Sequence, residues 1–162
     1  MSFSESILVA EDDEADRFLL QHALGRAGVS VSVAYVRDGL EGIEYLRRRA
    51  APPWSQPPPS LLLLDIQMPR MNGFELLECL REEPALRPRH VVVFSSSEEP
   101  QDVRRAAAFG VDHYMVKPCC PAEMVGVVRR LEEYWRDEVS PAVLSEPALV
   151  ARPALLAPVP RA

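Results

Sequence analysis

The chain has 162 residues, of which 48% are hydrophobic and 26% are charged, a profile typical of one soluble globular domain with a sizeable core. Its formal net charge of −6 argues against a nucleic-acid-binding surface, which would need a basic stripe. No apolar stretch approaches the roughly 20 residues of a membrane span, and the first residues lack the features of a signal peptide, so we expect a cytoplasmic protein without membrane contact.

The first part of the chain alternates short apolar strands with amphipathic helices. Residues 6–10 and 29–36 predict strands, and residues 15–27 and 39–49 predict helices. The first predicted helix places apolar side chains on one face, as a helix packed on a sheet requires. These four elements form two strand-helix units in succession.

A proline-rich segment interrupts the alternation at residues 50–60. It holds five prolines and Trp54, a composition that predicts a stiff surface loop rather than a helix or a strand. A role as a peptide ligand for a partner is an alternative, although a spacer accounts for the composition more simply.

Three further strand-helix units follow the loop. In chain order they predict strands at 61–64, 90–95 and 112–116 and helices at 74–82, 101–109 and 121–135. Five such repeats imply a parallel sheet with right-handed crossovers and helices on both faces. The sequence therefore predicts an α/β doubly wound fold over residues 1–137.

The composition changes after residue 137. Residues 138–162 contain five prolines, six alanines and only four charged residues, which argues against a separate folded domain. The eight Val and Leu residues of this tail favour docking on a partner or on a second copy. We also expect Trp135 to be exposed, which adds to the case for a homodimer.

Cysteine and histidine residues do not form a zinc-binding pattern. Neither the three cysteines nor the three histidines have CxxC or HxxxH spacing, and a structural zinc site needs four ligands at set intervals. The adjacent Cys119 and Cys120 are expected to be a reduced pair in a loop.

Polar residues follow four of the five predicted strands. They are Glu11-Asp12-Asp13, Asp65, Ser95-Ser96-Ser97 and Lys117-Pro118. Because the carboxyl ends of parallel strands meet at one edge of the sheet, where open α/β sheets bind ligands, we expect these side chains to lie together. Singly, each has a structural explanation, such as a helix cap, an acidic first turn or a solvated lysine.

The combination indicates phosphoryl-transfer chemistry. Crowded carboxylates raise one another's pKa unless a cation lies among them, and oxygen ligands without His or Cys suit Mg²⁺. A lysine and a hydroxyl group on the flanking strands could then hold the oxygens of a phosphoryl group. The set predicts transfer of a phosphoryl group to a carboxylate nucleophile.

With these residues in place, the sequence resembles the receiver domain of two-component response regulators. The resemblance covers residues 6–135 and rests on four motifs in order. These are an acidic pair, an Asp before x-x-Met-Pro-x-Met-Asn/Asp-Gly, a Ser/Thr and Lys-Pro. It implies a flavodoxin-like sheet with strand order 2-1-3-4-5 and a signalling phosphoacceptor rather than an enzyme.

The resemblance implies roles for the residues at the sheet edge. Asp65 would be the phosphoacceptor, and Lys117 would bind the phosphoryl group. The Mg²⁺ ligands would be Glu11, Asp12, Asp65 and the backbone carbonyl of Gln67.

Two further positions match the family's conformational switch. Ser95 would be the hydroxyl that moves toward the phosphoryl group, and Tyr114 the aromatic residue that turns inward in the active state. The resemblance also implies a cis bond before Pro118. Cys119 departs from the family pattern, because many receivers carry Phe there.

The resemblance also implies partners. A sensor histidine kinase or a phosphotransfer protein would supply the phosphoryl group, and a homodimer could form through helix 4, strand 5, helix 5 and the tail. The acidic cluster followed by Glu-Ala-Asp, together with the long loop before strand three, is similar to regulators paired with bacterial phytochromes.

Two other functions stay open at this stage. A haloacid-dehalogenase-like phosphohydrolase also uses an Asp nucleophile with Mg²⁺ and a lysine, but it needs a second Asp as general acid where this chain has Gln67. The second alternative is a binding module that keeps the receiver fold without being phosphorylated.

Overall fold

The computed structural model describes residues 6–136, which form a five-stranded sheet between two helical layers. The strands are β1 (Ser6–Ala10), β2 (Ser32–Val36), β3 (Leu61–Leu64), β4 (His90–Ser95) and β5 (His113–Val116). The helices are α1 (Glu14–Ala27), α2 (Gly39–Ala50), α3 (Gly73–Glu82), α4 (Pro100–Ala108) and α5 (Pro121–Trp135), with a 3-10 turn at Pro84–Leu86.

All neighbouring strands of the sheet run parallel, in the order β2-β1-β3-β4-β5. In the central strands Val9 pairs with Tyr35 on one side and with Leu63 on the other. The four leucines of β3 are all buried, as expected for a parallel strand covered on both faces. The predicted fold class and strand order are confirmed.

The sheet separates two apolar layers. Leu62 and Leu64 point into the layer covered by α2, α3 and α4, whereas Leu61 and Leu63 point into the layer under α1 and α5. Successive residues of a strand alternate between faces, so a continuous leucine run supplies both layers. This packing holds β3, and with it the residue that follows it, at the centre of the molecule.

The second strand begins later than the sequence suggested. We expected a strand from residue 29, but β2 begins at Ser32. Gly28 ends α1 in the left-handed conformation (φ 73°), and the Val29 N–H still donates to the Leu24 carbonyl. Residues 29–31 therefore connect α1 to β2, and Val29 and Val31 pack against the core without pairing in the sheet.

The expectation of an exposed Trp135 is wrong. Its side chain is buried, with only 3% of its surface exposed, in the layer under α1 and α5. The apolar spacing of α5 continues from Leu131 to Tyr134 and Trp135, which puts both aromatic residues on the buried face. Trp135 cannot serve as an exposed anchor for a dimer.

The predicted cis bond before Pro118 is also wrong. Within residues 6–136 the cis peptide bond is Pro52–Pro53, and Lys117–Pro118 is trans, the form that X–Pro bonds favour by about 0.5–1 kcal/mol.

No helix in this part of the chain is long and apolar enough to cross a membrane. The tail, residues 138–162, lies outside the described residues.

Candidate functional site

Three charged side chains meet at the carboxyl edge of the sheet. Glu11 follows β1, Asp65 follows β3 and Lys117 follows β5. The Lys117 Nζ lies 2.9 Å from Asp65 Oδ2 and also donates to the Glu11 carboxylate. All three side chains are at least nine-tenths buried. The structure thus brings together residues that the sequence placed at this edge.

Backbone hydrogen bonds fix these three residues relative to one another. The Glu11 N–H donates to Val36 O, the Asp65 N–H to Ala10 O and the Lys117 N–H to Ser95 O, each at 2.9–3.0 Å. Each site residue therefore extends the parallel ladder by one bond beyond its strand. The side chains consequently start from a rigid frame rather than from loops.

The loop after β3 is held tightly against Asp65. The Gln67 N–H donates to Asp65 Oδ1 at 3.2 Å, and the Gly73 N–H donates to Ile66 O at 3.0 Å. A Cβ at Gly73 would lie 2.4 Å from the Asp65 carbonyl oxygen, so only glycine permits this approach. Asn72 caps α3 with Glu75 in a reciprocal capping box.

A second contact fixes the same loop from the side of α2. Arg70, in the left-handed conformation (φ 60°), donates from Nε to the buried Asp38 Oδ2 at 2.7 Å. The Gly39 N–H donates to Met71 O at 2.7 Å. This contact has no local signal in the sequence, because Arg70 and Asp38 are far apart in the chain.

The buried charges shift each other's proton affinity. Burial, assisted by the charge of Asp65, raises the pKa of Glu11 from its usual 4.5 to about 7, although Lys117 opposes the change. Burial acts to lower the pKa of Lys117, but hydrogen bonds to Asp16 and Glu11 and the charge of Asp65 outweigh it, so this pKa is raised. Lys117 is therefore charged at neutral pH.

Carboxylate oxygens at this edge could hold a metal ion. One oxygen from each of Glu11, Asp12 and Asp65 lies within 4.8 Å of the others. A set of hard oxygen ligands without nitrogen or sulfur fits Mg²⁺ or Mn²⁺. Gln67 contacts Asp65 through its N–H, and its carbonyl as a metal ligand stays a prediction.

The predicted switch residues lie next to each other below the edge. Ser95 is fully buried, and its Oγ accepts from the Ser97 N–H at 3.2 Å. Tyr114 is also buried, and its hydroxyl donates to Ser97 O at 2.9 Å. Ser97 Oγ in turn donates to Asp102 Oδ2 at 2.6 Å. The Tyr114 side chain is thus enclosed in this structure, and burial raises its pKa.

Sequence reasoning missed a role for two residues of the site. Asp16 accepts from Lys117 Nζ at 2.8 Å, and Asp102 accepts from Ser97 Oγ beside Tyr114. A signal was available for Asp16. It lies in the first turn of α1, where a carboxylate is favourable, and one turn after the acidic cluster.

Comparison with known proteins identifies the family. The family model of the response regulator receiver domain matches residues 7–129. The chain belongs to the response regulator receiver family. Receiver domains are in general signalling phosphoacceptors rather than enzymes, bind a divalent metal and interact with histidine kinases or phosphotransfer proteins.

Individual relatives support the same assignment. The receiver is 33% identical over 129 residues to the probable methanogenesis regulatory protein FilR2 of Methanothrix harundinacea, covering 80% of this chain and 82% of that protein. It is 29% identical over 134 residues to the response regulator Rcp1 of Synechocystis, covering 83% and 90%.

Solved structures show the same similarity. The phosphorylated cyanobacterial phytochrome response regulator RcpA superposes with a TM-score of 0.73 at 31% identity, covering 85% of this chain and 97% of that one. RPA3017, from red light signalling in R. palustris, gives a TM-score of 0.70 at 30% identity, covering 84% and 96%. The Mn²⁺-bound form of Rcp1 gives 0.71 at 29% identity, covering 84% and 97%.

Proposed function

We propose that this receiver domain accepts a phosphoryl group on Asp65 from the phosphohistidine of a sensor histidine kinase. An Asp65 carboxylate oxygen attacks phosphorus, an O–P bond forms and the N–P bond of phosphohistidine breaks, leaving the imidazole to take up a proton. The observation that carries the proposal is the buried Asp65 paired with Lys117 Nζ at 2.9 Å. The receiver would also take phosphate from small phosphodonors and lose it slowly by hydrolysis.

The contacts of Asp65 support its role as the nucleophile. Its Oδ1 accepts from the Gln67 N–H and its Oδ2 accepts from Lys117, so both oxygens are oriented before a donor arrives. Lys117 would stay within reach of the transferred oxygens, because its backbone is bonded to Ser95 O. Fixed donors at the place where charge develops stabilise the transition state.

The acidic cluster supports a requirement for Mg²⁺. Glu11, Asp12 and Asp65 would hold the ion through carboxylate oxygens, and Gln67 would add its backbone carbonyl. When bound, the metal neutralises negative charge on the phosphoryl oxygens and on the carboxylates around them.

Phosphorylation would switch the surface formed by α4, β5 and α5. The phosphoryl group adds negative charge and acceptor oxygens, to which Ser95 would turn. Ser95 Oγ now accepts from Ser97, whose carbonyl holds the Tyr114 hydroxyl, so a change at Ser95 is carried to the aromatic residue by direct contacts. Output would then be a change in protein-protein contacts.

Two similar solved structures support a particular phosphodonor. RcpA is a phytochrome response regulator and RPA3017 acts in red light signalling, which supports a bacteriophytochrome kinase as the phosphodonor. We propose the cytoplasm as the place of this exchange. A homodimer through α4, β5, α5 and the tail is part of the proposal, without Trp135 as an anchor.

The alternative functions receive less support. The general acid of a haloacid-dehalogenase-like phosphohydrolase would stand at Gln67, whose side chain is an exposed amide that cannot transfer a proton in this way. A phosphorylation-independent binding module gives no reason for Lys117 to be buried among carboxylates.

The test is intact-mass measurement after incubation with acetyl phosphate and Mg²⁺. We expect one phosphate on the wild-type protein and none on Asp65→Asn or in the presence of a metal chelator. The absence of an adduct on the wild-type protein, or an undiminished adduct on Asp65→Asn, would contradict the proposal.

A further inference from the structure

Lys117 has no spare hydrogen-bond donor in this structure. An ammonium group carries three N–H donors, and Lys117 Nζ has three carboxylate acceptors. They are Glu11 Oε2, Asp16 Oδ2 at 2.8 Å and Asp65 Oδ2 at 2.9 Å. A phosphoryl oxygen that binds Lys117 must therefore replace one of the three.

The three acceptors differ in how easily they can be released. The Glu11 and Asp65 side chains are each 6% exposed, whereas the Asp16 side chain is 36% exposed. A buried carboxylate that loses its partner bears a large desolvation cost, but a partly exposed one regains water. Asp16 is thus the acceptor that Lys117 can give up at the smallest cost.

Asp16 is also held in place independently of the lysine. It lies in the first turn of α1, where its N–H donates to the side chain of the helix cap Asp13 at 2.9 Å. It is not a member of the carboxylate group that could bind metal. Loss of its contact with Lys117 would leave both the helix and the metal ligands intact.

We infer that Asp16 is a positioning residue that holds Lys117 in the unphosphorylated receiver and gives up its place to the phosphoryl group. The inference rests on the proposed phosphorylation of Asp65. Asp16 then competes with the incoming phosphoryl oxygens for one N–H of Lys117. Removal of its carboxylate should leave that donor free and accelerate phosphorylation.

The experiment compares initial rates of Asp65 phosphorylation over a range of acetyl phosphate concentrations in four proteins. They are the wild type, Asp16→Ala, Asp16→Asn and Glu14→Ala. Glu14 is the matched control, because it lies in the same turn, carries the same charge and has a side chain that is 87% exposed. Circular dichroism checks that all four proteins are folded.

We expect Asp16→Ala to lower the apparent KM for acetyl phosphate about three- to fivefold, the size of effect typical of one partly exposed ion pair, with the maximal rate unchanged. Asp16→Asn should lie between Asp16→Ala and the wild type, because a neutral amide oxygen still accepts a hydrogen bond, only more weakly. Glu14→Ala should match the wild type.

Several outcomes would overturn the inference. An Asp16→Ala rate equal to that of Glu14→Ala, or slower than wild type, would show that Asp16 does not compete for Lys117. Equal acceleration in both Asp16 variants would assign the effect to charge alone. If the wild type takes up no phosphate, the proposed function and this inference fail together; if it does and Asp16→Ala is unchanged, only the inference fails.

Discussion

The carboxyl and amino edges of the sheet both bury polar side chains, but they do so in opposite ways. At the carboxyl edge, Glu11 and Asp65 surround the charged Lys117. At the amino edge, the rings of His90 and His113 pack against Tyr134, with centroid distances of 4.7 and 5.6 Å. One edge is built from charges and the other from aromatic contacts.

Burial acts with opposite consequences at the two edges because it disfavours charge. It raises the pKa of Glu11, a group that is charged when deprotonated, and lowers the pKa of His113, a group that is charged when protonated. The carboxyl edge still keeps more negative than positive groups. The carboxyl edge is therefore the one that gains most from a bound cation.

Replacement of Glu11 should have the largest effect on stability. The folded protein keeps the Glu11 proton up to about pH 7, whereas the unfolded chain loses it near 4.5, so the free energy of unfolding falls as pH rises through this window. We expect Glu11→Gln to be on the order of 2–3 kcal/mol more stable than wild type at pH 8 and equal to it near pH 4.5. Urea unfolding in chelator measures this difference.

The matched control for this prediction is Glu14→Gln, which makes the same chemical change at an exposed side chain. Its pH dependence should follow that of the wild type. The free energy of unfolding of Glu11→Gln could instead depend on pH as strongly as that of the wild type. The Glu11 carboxylate would then not destabilise the carboxyl edge, and this difference from the amino edge would be lost.

A second comparison concerns packing rather than charge, and it sets the loop after β3 at the carboxyl edge against an exposed position of α5. A Cβ at Gly73 would overlap the Asp65 backbone, whereas Gly126, within α5, has no neighbour within 4 Å. We expect Gly73→Ala to lower the free energy of unfolding by about 1–3 kcal/mol. Gly126→Ala should raise it by about 0.5–1 kcal/mol, because alanine favours a helix more than glycine does.

Chemical denaturation of both alanine variants checks this pair. A Gly73→Ala protein as stable as the wild type would mean that the loop after β3 moves easily, contrary to the rigid frame described for the site.

His113 should give the smallest effect, because the charge of Asp112 offsets part of the effect of burial. The unfolded chain takes up a proton near the usual histidine pKa of 6.5 and the folded protein does so only at lower pH, so stability falls as pH drops below 6.5. We expect His113→Phe to reduce this loss, as measured by unfolding between pH 7 and 5.

The comparison for this variant is His22→Phe, at an exposed position of α1, which should leave the acid dependence unchanged. If the stability of His113→Phe and of the wild type fell equally with decreasing pH, burial at the amino edge would not lower the pKa of His113.

The fold and the edge that carries the site were predictable because the sequence signals for them lie in adjacent residues. The leucine run of β3, the Asn72-Gly73 loop and the carboxylates after β1 are readable from adjacent residues, and they placed Asp65 and Lys117 at one edge. Long-range contacts were not readable in this way. The bond of Arg70 to Asp38 depends on how two loops fold toward each other.

The burial of Trp135 and the role of Asp16 were not predicted, although the sequence contains a signal for each. The spacing of α5 places Trp135 four residues after Leu131, on the buried face, and Asp16 stands one turn after the acidic cluster. In both, a helical period applied one turn further would have given the observed position. The start of β2 could not be read so directly, since Val29 favours a strand but closes the end of α1.

The measurement that tests the central claim most directly is to locate the phosphate. After incubation with acetyl phosphate and Mg²⁺, borohydride reduction converts a phosphoaspartate to homoserine, which peptide mass spectrometry can identify. We predict homoserine at position 65 alone, absent when the phosphodonor or the metal is omitted. Reduction at another carboxylate, or phosphate found on a serine or histidine instead, would contradict the account.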